Sequence, residues 1–454
     1  SLFFVTKYLL NESGVEKAKP RKDEDTFILG SESGQLEFYY PRDNFMVLGG
    51  AGSGKTASIG KPILEQYIRY GWAGFIYDYK DYDYTKTAWN LVQKYKYPYK
   101  FYYISFTDMS RTYRFNILNK NVIRNETMLF QAMTDFFNAM KPEKGNTDEW
   151  FQAALGLLCG VAVRFYKFQG DYEKYCTLPH ILNFILMATP EQLTRFLEGD
   201  MMSKMKAGAF LGSKGSERTQ SSVIFSINNY ISNLATNKNV CYVLSGNDFI
   251  YDLIDPEDPK LFAVSNNFAI ESMISPIVAM LVPLAARRIE FGNRVKFAFV
   301  LDEMTTVKVN GFQSLPSVLR EYGVSFLVLT QSGTKFDKLY GKEDRVSIMA
   351  NFANLFLGKT KDVEALKYYP LFFGKEEKEK NGNGTKKMKG DRKESCCNCY
   401  GAWHGAYSIS ADTGESCGRV CRAVDKRRVS GKRQQGQYRC CEIQWWRYSA
   451  AYVS

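Results

Sequence analysis

The stretch Gly49-Gly50-Ala51-Gly52-Ser53-Gly54-Lys55-Thr56 does most to limit what this chain can fold into. Its spacing, a glycine, four residues, then Gly54-Lys55-Thr56, is that of a phosphate-binding loop, which needs a strand before it and a helix after it. Both are legible. Phe45-Met46-Val47-Leu48 is a short apolar run, and residues 57–70 carry Ile59, Ile63, Leu64, Tyr67 and Ile68 at helical spacing up to Gly71. In that setting the backbone N–H groups of the loop and of the helix N-terminus face a bound anion. Lys55 supplies a point charge for the β and γ phosphates of ATP, and Thr56 a hydroxyl for Mg2+. The same glycines would also make an ordinary turn in an α/β protein that binds no nucleotide, so the remaining motifs decide.

A second signal lies far along the chain. Phe297-Ala298-Phe299-Val300-Leu301 is an apolar strand ending in Asp302-Glu303. A phosphate-loop ATPase needs an acid at the tip of a neighbouring strand for the Mg2+ shell and a second carboxylate to orient or deprotonate the attacking water. Asp302 fits the first role and Glu303 the second. Asp78, at the end of "AGFIYD", is a rival for the metal, and the pair is preferred because one strand supplies both acids. Gln331 closes "FLVLTQ", where an amide can touch the γ phosphate or the water, or simply end a strand. Arg320, in "LPSVLREYGV", suits an arginine donated to an adjacent subunit's site, and equally a surface arginine at a helix C-terminus.

Length and composition set outer bounds. The 454 residues allow two or three domains, and 45% hydrophobic with 24% charged residues is a globular balance. The net charge of +12 is concentrated after residue 375, and the mildly basic body permits contact with nucleic-acid phosphates without requiring it. No run reaches the length of a membrane span; the nearest, residues 277–286, is short and interrupted by Pro283. The first residues, "SLFFVTKYLL", lack the features of a signal peptide and the initiating Met, which leads us to expect a fragment or trimmed chain. Most of the cysteines follow residue 375, so the body reads as a protein of a reducing compartment. The aromatic residues sit mainly in apolar runs and are expected in the core, so no base-stacking residue is singled out.

The order of signals is α/β with a mostly parallel central sheet, interrupted by helical periodicity. Strand-like runs up to Tyr103 give way to helical patterns between about 121 and 235, including Thr189-Pro190-Glu191-Gln192, a good helix start. Strands return in "LFAVS", "KFAFVLDE", "VSFLVLTQ" and "NLFLG". After Gly374 comes a charged linker.

Taken together, "GGAGSGKT", "GFIYDYKDYDYTKTA", "YRFNILN", "VLDEM" and "LREYGVSFLVLTQSGTKFDKLYG" resemble the type IV coupling protein family, the TraG/TraD conjugation ATPases of the FtsK/HerA superfamily. The resemblance spans about 25–374. It implies a RecA-like P-loop NTPase with an inserted all-alpha domain: 1–120 and 236–374 would form the nucleotide-binding domain, 121–235 the insertion. It implies a homo-hexameric, DNA-translocating ATPase at the cytoplasmic face of the bacterial inner membrane. Such a pump takes a relaxase-bound single strand and passes it to type IV secretion channel components. Carried over, Lys55 and Thr56 bind phosphate and Mg2+, Asp302 and Glu303 form the second motif, Gln331 couples hydrolysis to movement and Arg320 acts in trans. Membrane association would come through a missing segment or a partner. In the loop after Asp78 the family's Asp-Pro-Lys-Gly-Glu is only partly kept, and no role is carried onto it.

Residues 375–454 depart from the family. From residue 394 the chain has no Leu, Phe, Met or Pro, yet half of the tryptophans. Cys396, Cys397 or Cys399 with His404 suggest a zinc site of weak spacing, and Arg-rich runs suggest a basic arm for nucleic acid. The composition favours a third reading, translation out of frame. Two other functions stay open for the whole chain: a type IV secretion assembly ATPase acting on protein, and a nucleotide-gated adaptor with little turnover.

Overall fold

The computed structural model describes residues 25–31, 34–141, 149–168, 174–290, 292–331 and 333–362, with the backbone of 406–408 and 421–422. The chain begins with an antiparallel hairpin, β1 (Phe27–Ser31) and β2 (Gly34–Phe38). The parallel strands follow: β3 (Phe45–Leu48), β4 (Ala73–Asp78), β5 (Lys100–Ile104), β6 (Lys260–Ser265), β7 (Phe297–Leu301), β8 (Val324–Thr330) and β9 (Asn354–Leu357). They lie in the order β9-β3-β8-β7-β4-β6-β5, and the tail strands 406–408 and 421–422 extend the sheet beyond β9. Every residue of β3, β4, β6, β7, β8 and β9 is buried, as strands covered on both faces require. Each buried Val, Leu or Phe there contributes roughly 1.5–3 kcal/mol, so continuous apolar runs select these positions as the sheet.

One face is covered by the hairpin and by α1 (Lys61–Arg69) and α2 (Asp83–Lys94), through Phe27, Ile63, Tyr67, Trp72 and Leu91. On the other face lie α11 (Glu271–Arg287) and a helical block inserted between β5 and β6. The block comprises α3 (Glu126–Asn138), α4 (Glu149–Lys167), α5 (Leu178–Met187), α6 (Pro190–Glu198), α7 (Met201–Lys206), α8 (Gly208–Gly212), α9 (Glu217–Ala235) and α10 (Lys238–Leu244). Polar caps set its helix starts. Thr189 and Gln192 form the reciprocal box that their spacing predicts, and the Asn125, Thr177 and Asn237 side chains each accept from the first turn they precede. Helical structure continues past residue 235 because Asn237 starts one more helix.

The block is tied to the sheet by a buried carboxylate. Asp135 on α3 accepts from Arg287 Nη2 at 2.5 Å and from Asn310 Nδ2 at 3.1 Å, so α3, α11 and the loop after β7 share one ion. Pro283 does not end α11, which runs through Pro276 and Pro283. The chain then continues through α12 (Leu315–Arg320), β8, α13 (Gly333–Tyr340), α14 (Lys342–Ala350) and β9. The tail cysteines Cys396, Cys397 and Cys399 and His404, proposed above as zinc ligands, lie outside the described residues.

Gly74 packs where β4 meets β7: a Cβ there would stand 2.7 Å from the Ala298 carbonyl oxygen, which belongs to backbone and cannot turn away. Gly74→Ala is expected to cost about 1–3 kcal/mol by overpacking, lowering Tm by about 2–4 °C per kcal/mol in thermal scans. Gly208→Ala, where a Cβ meets nothing within 4 Å, leaves Tm unchanged or slightly raised.

Candidate nucleotide site

The phosphate loop leaves the carboxyl end of β3 and is stitched to the strands on either side. Gly49 N–H donates to Thr330 O at 3.1 Å and Gly50 N–H to Lys359 O at 2.7 Å. Gly52 and Gly54 have φ of 71° and 79°, the left-handed region that a glycine enters without strain. Residues Lys55–Gly60 then form a single π-helical turn before α1, closed by Lys61 N–H on Thr56 O. Pro62 explains the wide turn: it has no N–H to give and its ring crowds the carbonyl four residues back.

Lys55 is only 9% exposed, and its Nζ donates to the loop's own carbonyls, Gly49 O at 2.5 Å and Gly50 O at 3.3 Å. Burial lowers its pKa, with Glu303 and Asp302 opposing that trend. A partly desolvated ammonium resting on its own loop is a cation ready for a phosphate oxygen. Thr56 Oγ1 accepts from Lys80 Nζ at 3.1 Å. Ala51 and Gly52 are exposed at the loop tip, and Ser53 Oγ is buried without a partner.

The two acids differ sharply in environment. Asp302 is buried, its Oδ2 has no hydrogen-bond partner, and burial pushes its pKa up to about 7 against the pull of Lys80. Glu303, also buried, takes a left-handed backbone (φ 49°, ψ 53°), a conformation that costs a non-glycine residue on the order of 1–3 kcal/mol. That turn aims its Oε1 at Thr305 Oγ1 (3.0 Å) and at the Gln331 N–H (3.3 Å). The tips of β7 and β8 are therefore bonded through the side chain of Glu303.

Asp78, the rival acid, is already occupied. Its carboxylate accepts from Thr85 N (2.8 Å), Thr85 Oγ1 (2.8 Å) and Lys80 N (3.2 Å), so it organises the start of α2. The Thr56 hydroxyl and the open Oδ2 of Asp302 are hard oxygen donors, a pair that suits Mg2+. The sequence reading had placed the acid strand beside the loop's strand; in the sheet β8 stands between them, which puts Gln331, not Asp302, at the tip next to the loop.

Arg320 is not brought to this cluster within the chain. It ends α12 at the opposite, amino edge of the sheet, with 55% of its side chain exposed, 3.4 Å from Asp43. Lys80 is the residue that the sequence reading passed over. Its signal was present, a lysine two positions after a strand-terminal acid, but its reach depends on a turn that the sequence does not announce. A cleft of about 650 Å³, lined in part by Arg124, Asp252 and Lys260, lies at the amino ends of β5 and β6, away from these motifs.

Burial raises Asp302 to about 7, against roughly 3.9 in an unfolded chain. Between those values the native state holds the proton that the unfolded state has lost, so this group makes stability fall as pH rises from about 4 to about 7. Asp302→Asn removes that loss. In metal-free thermal scans the variant is expected to melt above the wild type at pH 8, with the gap narrowing towards pH 5; a gap independent of pH contradicts the assignment.

Comparison with known proteins supports the fold. No curated protein sequence matches the chain. The trigonal form of the bacterial conjugative coupling protein TrwBdeltaN70, in complex with sulphate, superposes with a TM-score of 0.59 at 17% identity, covering 81% of this chain and 80% of that one. The plasmid coupling protein TrwB in complex with ADP and Mg2+ gives 0.57 at 17% identity, covering 75% of each chain. At such identity the likeness shows the fold, a RecA-like P-loop NTPase. The family model for type IV secretory system conjugative DNA transfer matches residues 6–396, and the chain belongs to that family.

Proposed function

We propose that this chain is the ATP-driven coupling motor of a conjugation system, which takes up a relaxase-bound single strand and passes it to the secretion channel. The observation that carries the reading is the convergence of Lys55, Thr56, Asp302 and Glu303, with an unpartnered Asp302 oxygen where a cation is needed and Glu303 bonded to the Gln331 backbone. Binding of ADP and Mg2+ by the similarly folded TrwB supports it. Lys55 and the glycine backbone would hold the phosphates; Thr56 and Asp302 would hold Mg2+, which screens phosphate charge. Glu303 would orient or deprotonate the water. Any shift of Glu303 on hydrolysis is felt at once by Gln331 and β8.

In this reading 1–120 and 236–374 form the nucleotide-binding domain and 121–235 the insertion that meets the DNA-protein substrate. Asp135 links the insertion to α11 through its ion pair with Arg287 and to the loop after the acid strand through the hydrogen bond it accepts from Asn310. Arg320, at the opposite edge, would act in a neighbouring subunit's site of a homo-hexamer. It would work at the cytoplasmic face of the inner membrane. Among the described residues no helix is long and apolar enough to cross a membrane, so attachment would use another segment or a partner.

Steady-state ATP hydrolysis with and without single-stranded DNA tests this. Single-stranded DNA is expected to stimulate hydrolysis. Glu303→Gln is expected to lose at least about 10²-fold in rate while still binding nucleotide, and Lys55→Ala to lose binding. Hydrolysis indifferent to DNA favours a secretion ATPase acting on protein, and binding without turnover favours an adaptor.

A further inference from the structure

The loop between β4 and α2 is wound tightly around one carboxylate. Asp78 accepts from Lys80 N, Thr85 N and Thr85 Oγ1. Asp81 and Tyr82 both have positive φ, 48° and 69°, without being glycine. Their strain is offset by contacts on both sides: Asp81 N–H donates to Asn266 O at 3.2 Å, Tyr82 Oη to Arg111 O at 2.6 Å, and the Tyr79 hydroxyl to the Glu271 carboxylate. A backbone held this way fixes where the Lys80 side chain starts. Its Nζ crosses to the phosphate loop and donates to Thr56 Oγ1. Among the charges acting on Asp302, whose burial disfavours ionisation, the Lys80 ammonium is the strongest that favours the ionised form. It also acts against Lys55 as a like charge. One ammonium thus touches the hydroxyl and, through its charge, favours ionisation of the carboxylate that the nucleotide reading gives to a divalent cation.

We propose that Lys80 is a resident counter-cation of the magnesium corner, bonded to Thr56 and balancing the charge near Asp302 in the nucleotide-free protein, and that it withdraws when Mg2+ and nucleotide bind. The inference rests on the nucleotide-site reading above. An ammonium bonded to Thr56 repels a divalent cation that binds the same hydroxyl, so displacing Lys80 adds to the cost of metal entry, and the loop that carries it registers whether metal is present. Such a lysine sets the Mg2+ concentration at which the site fills, without touching the attacking water.

The test is ADP binding by the full chain, measured at increasing Mg2+, for wild type, Lys80→Met, Lys80→Arg and Lys55→Ala. Lys80→Met is expected to lower the Mg2+ concentration for half-maximal ADP binding by about three- to fivefold, the scale of one partly exposed charge contact, with Lys80→Arg near the wild type. A midpoint that stays put or rises in Lys80→Met, while Lys55→Ala abolishes binding, overturns the inference and leaves the site reading intact. Undiminished ADP binding by Lys55→Ala overturns the site reading itself, and the inference with it.

Discussion

The sheet depends on the side chain of Asn44. Fully buried, with a positive φ of 61° and ψ of 155°, it donates from Nδ2 to Pro316 O at 3.1 Å and to Asn351 O at 3.0 Å, and accepts on Oδ1 from Phe326 N at 2.9 Å. Its own carbonyl accepts from Asn354 Nδ2 at 3.0 Å. One residue at the foot of β3 thus seats that strand between β8 and β9, which come from the far end of the chain. Asparagine carries both donors and an acceptor on one short side chain, which is why it can make all of these bonds from this position. With the feet pinned and the ladders in register, the tips follow: Leu48 faces Thr330 and Leu357, and the loop rises between them.

At those tips the protein assembles charge that it does not fully satisfy. Asp302 is desolvated with a bare oxygen, Lys55 is desolvated on its own loop, and Glu303 pays backbone strain to face Gln331. Buried unpaired groups are costly in a folded protein and tend to survive where a ligand completes them. Asp78 shows the contrast. It sits one strand further along, equally buried, with three donors on it, and its work is to shape a turn.

Much of this was legible in the residues. The glycine spacing, the apolar strands ending in Asp302-Glu303 and Gln331, and the helical block all follow from local periodicity and turn chemistry. Strand order did not follow, because ladder partners such as Phe45 and Leu327 lie far apart in sequence and buried parallel strands look alike. That is how Asp302 came to be expected on the strand beside the loop. Lys80 was hidden for a different reason: its reach depends on two left-handed residues, Asp81 and Tyr82, that carry no glycine signal. Arg320 was recognised as a candidate, but its distance from the cluster is a property of the folded sheet.

The central claim is that three strand tips, from β3, β7 and β8, form one site for Mg2+ and nucleotide. An experimental structure with ADPNP and Mg2+ tests it most directly. The account predicts phosphates in the loop 49–56, the metal between Thr56 and Asp302, and Glu303 facing the γ phosphate. Nucleotide bound elsewhere, for instance in the cleft beside Arg124 and Lys260, or metal held by Asp78 in place of Asp302, would contradict it.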